Sequence, residues 1–199
     1  MSAQPLIVGL VGLAGAGKST AARLIVEEFV FELIKPGDHI KSRLMDSKLL
    51  VSPENERHLQ LLMRQEYGMS ALLDLCIPEI EEALSRKSNV LIDSMCSFSE
   101  KESLLRITSP NSLSVVAVHA PAETRKLYLG ARSVRPLSAE QMAQRDMLEI
   151  DLLEKGKMLS LADHHVVNNG EPVMLEQSMR ALMRSLGAVS RTGSGGSVS

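Results

Sequence analysis

The chain has 199 residues, 44% of them hydrophobic and only 3% aromatic, with no tryptophan and a formal net charge of −2. That length suits one domain with a real core built from aliphatic side chains and methionine. The near-neutral balance argues against a general nucleic-acid binder, which carries a basic excess or stripe.

The first apolar run, residues 5–11, reads as a buried strand. It runs directly into GLAGAGKST, residues 12–20, and the helical pattern of 18–29 begins inside that turn. Residues 29–34 read as a second strand, and 37–45 as the start of a helix. Helices are expected over 53–66, opened by Ser52 and Pro53, and over 70–87. Strands at 89–95, 113–120 and 164–169 alternate with helices at 99–107, 121–133, 138–158 (with a possible break) and 171–187. Short, doubly apolar strands alternating with helices imply an α/β fold, a parallel sheet covered on both faces.

Gly12, Gly15, Gly17, Lys18 and Ser19 match the pattern G-x-x-x-x-G-K-[ST]. Each residue type has a physical reason. The glycines let the backbone wrap so that several N–H groups point at one phosphate. The helix that starts there adds the positive end of its dipole. Lys18 reaches the β- and γ-phosphates, and the Ser19 hydroxyl is placed for Mg²⁺. Gly12, Leu13, Ala14, Gly15, Ala16, Gly17, Lys18, Ser19 and Thr20 are therefore the expected nucleotide-binding set.

Beyond the loop, the segments 37–41, 90–94, 115–125 and 145–170 follow in an order that resembles small P-loop kinases. The likeness is to dephospho-CoA-kinase-like and adenylate-kinase-like proteins, and to an archaeal nucleotide-kinase-like group, over roughly residues 5–185. This resemblance implies a three-layer P-loop fold with a five-stranded parallel sheet. It also implies an ATP·Mg²⁺ site, an acceptor-binding helical region at about 37–87 and a lid at about 130–146. The domain would span 1–187, with 188–199 a disordered tail.

The resemblance also assigns roles. Asp93, at the end of an apolar strand, would meet Mg²⁺ together with Ser19. Asp38 and Lys41, in the element GDHIK, would hold the acceptor, with Arg43 completing the grip. Arg132, Arg135 and Arg145 would close over the transferring phosphoryl group and stabilise its charge. Asn169, after the last strand, would lie by the adenine. No arginine follows Asp93 until Arg106, and only Asp38 follows the second strand, so the acceptor is left unnamed.

The implied activity is ATP- and Mg²⁺-dependent transfer of a phosphoryl group to a nucleotide-like small molecule. Dephospho-CoA phosphorylation is the nearest alternative. A nucleotide-binding module or slow NTPase switch is the alternative of another class. The partner is a small-molecule phosphate acceptor, a nucleotide or CoA precursor, and not a nucleic acid or membrane; a monomer or homodimer is expected. Cys76 and Cys96 fit neither a disulfide framework nor a zinc motif, and the N-terminus lacks a basic leader, so a reducing cytoplasmic setting is expected. The five histidines have no metal-ligand spacing and read as structural, and Cys96 has no identifiable partner base.

Overall fold

A computed structural model describes residues 4–133 and 135–191. Five parallel strands, β1 (Ile7–Val11), β2 (Phe31–Ile34), β3 (Asn89–Ile92), β4 (Leu113–His119) and β5 (His164–Val167), form one sheet in the order β2-β3-β1-β4-β5. This is the doubly wound α/β architecture of the P-loop kinase fold. β1 lies in the middle, and all five of its residues are buried. Its side chains alternate between two cores. Val8 and Leu10 face α1 (Lys18–Glu28) and α10 (Pro172–Ser185), where Ile25, Leu175, Met179 and Met183 close one layer. Ile7 and Val11 face the other layer, built from α5 (Ile77–Ser85), α6 (Phe98–Ile107) and α9 (Lys155–Ser160), with Ile80, Leu104 and Met158 against them.

Between β2 and β3 the chain inserts α2 (Pro36–Asp46), α3 (Pro53–Tyr67) and α4 (Ala71–Asp74) before α5. They share a small core of their own, around Ile40, Leu44, Met63 and Leu72. Ser52 caps α3 by accepting a hydrogen bond from Asn55 N at 3.2 Å, and Pro53 occupies the first turn, where its missing N–H costs nothing. The helix expected over 70–87 divides into α4 and α5. Pro78 lies in the first turn of α5 and has no N–H to bond back to Asp74, so the chain turns at 75–76 and starts again.

α7 (Ala122–Gly130) and α8 (Ala139–Asp151) flank the connection expected to form a lid. Ser138 and Gln141 form a reciprocal capping box that fixes where α8 begins. The break anticipated within 138–158 falls at 152–154, where Glu154 has φ 53°. A small cluster of Ala14, Leu129 and Met142 anchors this region to the phosphate loop.

The expected tail start at 188 is corrected. Val30 N donates to Val189 O at 3.1 Å, Phe29 bridges Ser190, and Arg191 Nε donates to Val26 O at 2.8 Å, so 188–191 lie against the sheet beside β2. Residues 192–199 of that expected tail lie outside the described residues. Among the described residues, no helix is long and apolar enough to cross a membrane.

Candidate active site

In an open parallel sheet, ligands gather beyond the carboxyl ends of the strands, where the winding changes direction. Here that point is β1, with β3 on one side and β4 on the other. The loop 12–17 leaves β1 at this edge. Gly17 has φ 107°, and a Cβ there would stand 2.7 Å from Asn168 Nδ2. Gly15 has φ 79°, and its Cβ would meet the backbone of Arg125 at 3.1–3.2 Å. Both positions thus require glycine for conformation and for space.

Lys18 Nζ donates to the Gly12 and Leu13 carbonyls at 2.7 and 3.1 Å, folding the side chain back over its own loop. Burial, with the nearby Lys155 charge, pushes its ammonium down to about 8. It is a weakly hydrated cation with only carbonyl partners, which suits it to a phosphate oxygen. A cleft of about 240 Å³ opens beside the loop, walled by Gly15, Gly17, Ser19, Thr20, Tyr128 and Arg132. Asn168 also lines it, donating to Ala16 O at 3.1 Å and accepting from Gly170 N at 3.2 Å. Asn169, expected at the adenine, is exposed. Strand periodicity accounts for this: Val166 points into the core, so 168 shares its face and 169 turns outward.

A second cleft, about 310 Å³, lies between α2, α3 and the loop after β3. Asp38, Lys41 and Asp93 all line it. Asp93 continues the β2–β3 ladder, its N–H donating to Ile34 O at 2.9 Å, which fixes the carboxylate at the sheet edge. Lys41 pairs with Asp38 at 2.7 Å. Arg43, expected to complete the grip, is exposed and is not among the residues that line the cleft. Two residues past Lys41 it is turned about 200° around the helix, away from the face that carries Asp38 and Lys41.

The lid arginines have different surroundings. Arg135 forms a two-pronged ion pair with Glu56 on α3, at 2.9 and 3.2 Å. Arg145 donates to Glu149 at 2.8 Å, and the other Glu149 oxygen accepts from Lys155 at 2.8 Å. Burial alone would raise the Glu149 carboxyl, but Lys155 and Arg145 outweigh it and hold the group down at about 2. Arg132 makes no ion pair or hydrogen bond among the described residues. Its guanidinium is lowered by partial burial and by the like charge of Arg145. It lines the phosphate-loop cleft and also a third one, about 310 Å³, shared with Arg135, Arg145 and Glu56. Arg125, in the same basic stretch, is instead a buried brace, bidentate to Asp146 at 2.7 and 2.9 Å and bonded to Ala14 O at 3.2 Å.

Sequence reasoning missed Glu149, Lys155 and Arg64. All three line the second cleft and are buried. Arg64 was signalled by spacing: 56, 60 and 64 recur every four residues on α3, which puts Arg64 on the cleft face with Glu56 and Gln60. Glu149 and Lys155 come together only because the chain breaks at 152–154, which periodicity does not show.

Ser19 lines the phosphate-loop cleft and Asp93 the second cleft, and each offers a hard oxygen donor of the kind Mg²⁺ takes. Nucleoside triphosphate fits the loop on the crowding at Gly15 and Gly17 and on the carbonyl-only partners of Lys18.

A family model described as an AAA domain matches residues 11–144. A UPF0200 protein of Aeropyrum pernix is 32% identical over 181 residues, covering 90% of this chain and 92% of its own. Among solved structures, TT1252 from Thermus thermophilus superposes with a TM-score of 0.62 at 22% identity, covering 92% of this chain and 99% of its own. Shikimate kinase from Acinetobacter baumannii, in complex with shikimate, superposes at 0.52 with 19% identity, over 91% and 94% of the two chains. At those identities the structural likeness establishes the fold. The phosphate loop, its sheet-edge setting and the extent of both sequence matches together establish that the chain belongs to the AAA-domain family of P-loop proteins and to the UPF0200 family.

Proposed function

We propose that the protein is an ATP- and Mg²⁺-dependent kinase that transfers the γ-phosphoryl group of ATP to a small-molecule acceptor. The observation that carries the reading is Arg132, a cation without an ion pair or hydrogen bond among the described residues, lining both the phosphate-loop cleft and the cleft between lid and α3. An arginine placed between the nucleotide cleft and the neighbouring cleft is positioned for a group that passes from one to the other. Phosphoryl transfer spreads negative charge over the moving group, and a guanidinium already in place stabilises it without reorganisation.

In this reading an acceptor oxygen forms a bond to the γ-phosphorus while the bond from phosphorus to the β,γ-bridging oxygen breaks, leaving ADP. Lys18 exchanges the Gly12 and Leu13 carbonyls for β- and γ-phosphate oxygens. Arg132 covers the transferring group, and Arg145, drawn from Glu149, joins it. Ser19 and Asp93 would hold Mg²⁺, which supplies neutralisation of the phosphate charge. An alcohol acceptor gives its proton to a carboxylate of the second cleft, Asp38 or Asp93; a phosphate acceptor is already a nucleophile and needs only positioning.

The acceptor suggested by family resemblance is nucleotide-like, a nucleoside monophosphate or dephospho-CoA. Continuity of the clefts supports an elongated molecule: the second and third share Glu56, Gln60, Arg135, Arg145, Glu149 and Leu153. The shikimate-bound neighbour adds hydroxy acids to the candidates. ADP formation from ATP·Mg²⁺ across nucleoside monophosphates, dephospho-CoA and small hydroxy acids tests the proposal, with Lys18→Ala as control. One acceptor should raise turnover at least ~100-fold over the acceptor-free rate. Slow hydrolysis that no acceptor changes would replace the kinase with an NTPase switch.

A further inference from the structure

Arg64 is the one side chain among the described residues with buried nitrogen or oxygen atoms lacking a hydrogen-bond partner; those atoms are Nε and Nη1. The side chain is 3% exposed. Its only side-chain polar contact among the described residues is Nη2 to Glu100 Oε1 at 3.2 Å. A guanidinium has five N–H donors, and leaving them unmet in a buried setting is costly. The carboxylate opposite does not complete the set. Glu100 Oε2 is occupied by Cys96 N at 2.6 Å, and burial pushes the Glu100 carboxyl up against the pull of Arg64. Glu100 therefore meets one Arg64 nitrogen and leaves Nε and Nη1 without an acceptor among the described residues.

Arg64 and Glu100 both form the wall of the second cleft, with Asp93, Lys155 and Gln60 beside them. A buried cation with unmet planar donors on the wall of a cleft is the complement of a planar or tetrahedral oxyanion. We propose that Arg64 is the anion socket of the acceptor cleft, so that the acceptor carries a carboxylate or a phosphate ester held by this guanidinium. The proposal rests on the reading of this cleft as the acceptor site. It moves the grip from Lys41 and Arg43 on α2 to α3. It also excludes uncharged sugars and alcohols as preferred acceptors. Nε and Nη1 are closed to solvent in the unliganded chain, so seating the anion requires a side chain of the cleft wall, Arg64 itself or a neighbour, to turn aside. Entry of the acceptor is thereby coupled to a rearrangement at the loop that carries Asp93, because Glu100 joins Arg64 to Cys96 N.

The test uses inorganic phosphate as probe, with calorimetry and thermal melting, on three proteins. Wild type has two sites, the phosphate loop and the socket. Lys18→Ala should lose the first and keep the second. Arg64→Met combined with Glu100→Gln should keep the first and bind at least tenfold more weakly at the second. The paired change removes both buried charges together, so the fold is kept, and it should melt no lower than wild type in phosphate-free buffer. Arg64→Lys, which keeps the charge but not the fork, should show a smaller loss and serves if the double variant fails to fold. Malonate competition in the Lys18→Ala protein separates the two chemistries: displacement of phosphate identifies a carboxylate socket, and its persistence identifies a phosphate-ester socket. Two undisturbed phosphate sites in the Arg64 variants would overturn the proposal. Failure of the kinase reading looks different: both sites titrate as expected, yet no acceptor raises ADP formation.

Discussion

Glu149→Gln gives the sharpest test of the electrostatics that organise the cleft. Glu149 is buried and accepts from both Arg145 and Lys155, and Lys155 is itself only 3% exposed. Removing the carboxylate leaves Lys155 as a buried cation without its counterion, a change that costs about 3–5 kcal/mol in comparable pairs. Linkage gives a similar figure. A folded value of about 2 against 4.5 for the free group corresponds to roughly 3 kcal/mol at neutral pH. Because the folded value is depressed, this stability is fully present above pH 4.5 and is lost as pH falls towards 2. Between pH 7 and pH 3.5 the difference between wild type and variant should shrink by about 1 kcal/mol. In urea melts at pH 7, with a slope of about 2 kcal/mol per molar, the midpoint should fall by about 1.5 M. An unchanged midpoint, or a difference that does not narrow in acid, would refute the buried bridge.

Arg132→Ala should lower kcat by about 10²–10³ while leaving the melting temperature and the KM for ATP nearly unchanged, because the side chain makes no ion pair or hydrogen bond among the described residues. Steady-state kinetics and a thermal melt check both halves. Gly17→Ala should abolish nucleotide binding and destabilise the fold by about 1–3 kcal/mol, since φ is 107° and the new methyl would strike Asn168; equilibrium unfolding and nucleotide titration read it. ATP affinity should be flat below pH 7 and fall up to about tenfold per unit above pH 8, as the free Lys18 loses its proton. Calorimetry in buffers of different ionisation heat should show proton uptake on binding in that range.

Much of this was legible in the sequence because its signals are local. The strand order of β1, the phosphate turn and α1 is written in adjacent residues, and the caps at Ser52 and Ser138 mark helix starts with single side chains. Asp93 could be placed because an apolar run ends there. What could not be read depends on distant parts of the chain meeting. The spacing of α3 puts Arg64 on the cleft face, but its buried partner Glu100 comes from α6, 36 residues away. Arg135 looks like a free lid cation until α3 offers Glu56, 79 residues away. Arg43 and Asn169 are exposed, as helix or strand periodicity from the neighbouring buried residues, Ile40 and Leu44 or Val166, indicates. The ordered stretch 188–191 lies beside an apolar-poor tail and is held by backbone hydrogen bonds, which composition does not reveal.

The central claim is that phosphate leaves the loop for an acceptor oxygen and not for water. The most direct measurement follows the γ-phosphoryl group itself. ATP labelled at that group is incubated with the protein, Mg²⁺ and each candidate acceptor, and the label is traced by mass. The account predicts that the label appears covalently on one anionic acceptor, and that both Lys18→Ala and Arg132→Ala suppress that product. Label recovered only as inorganic phosphate, at the same rate with and without every acceptor, would contradict it.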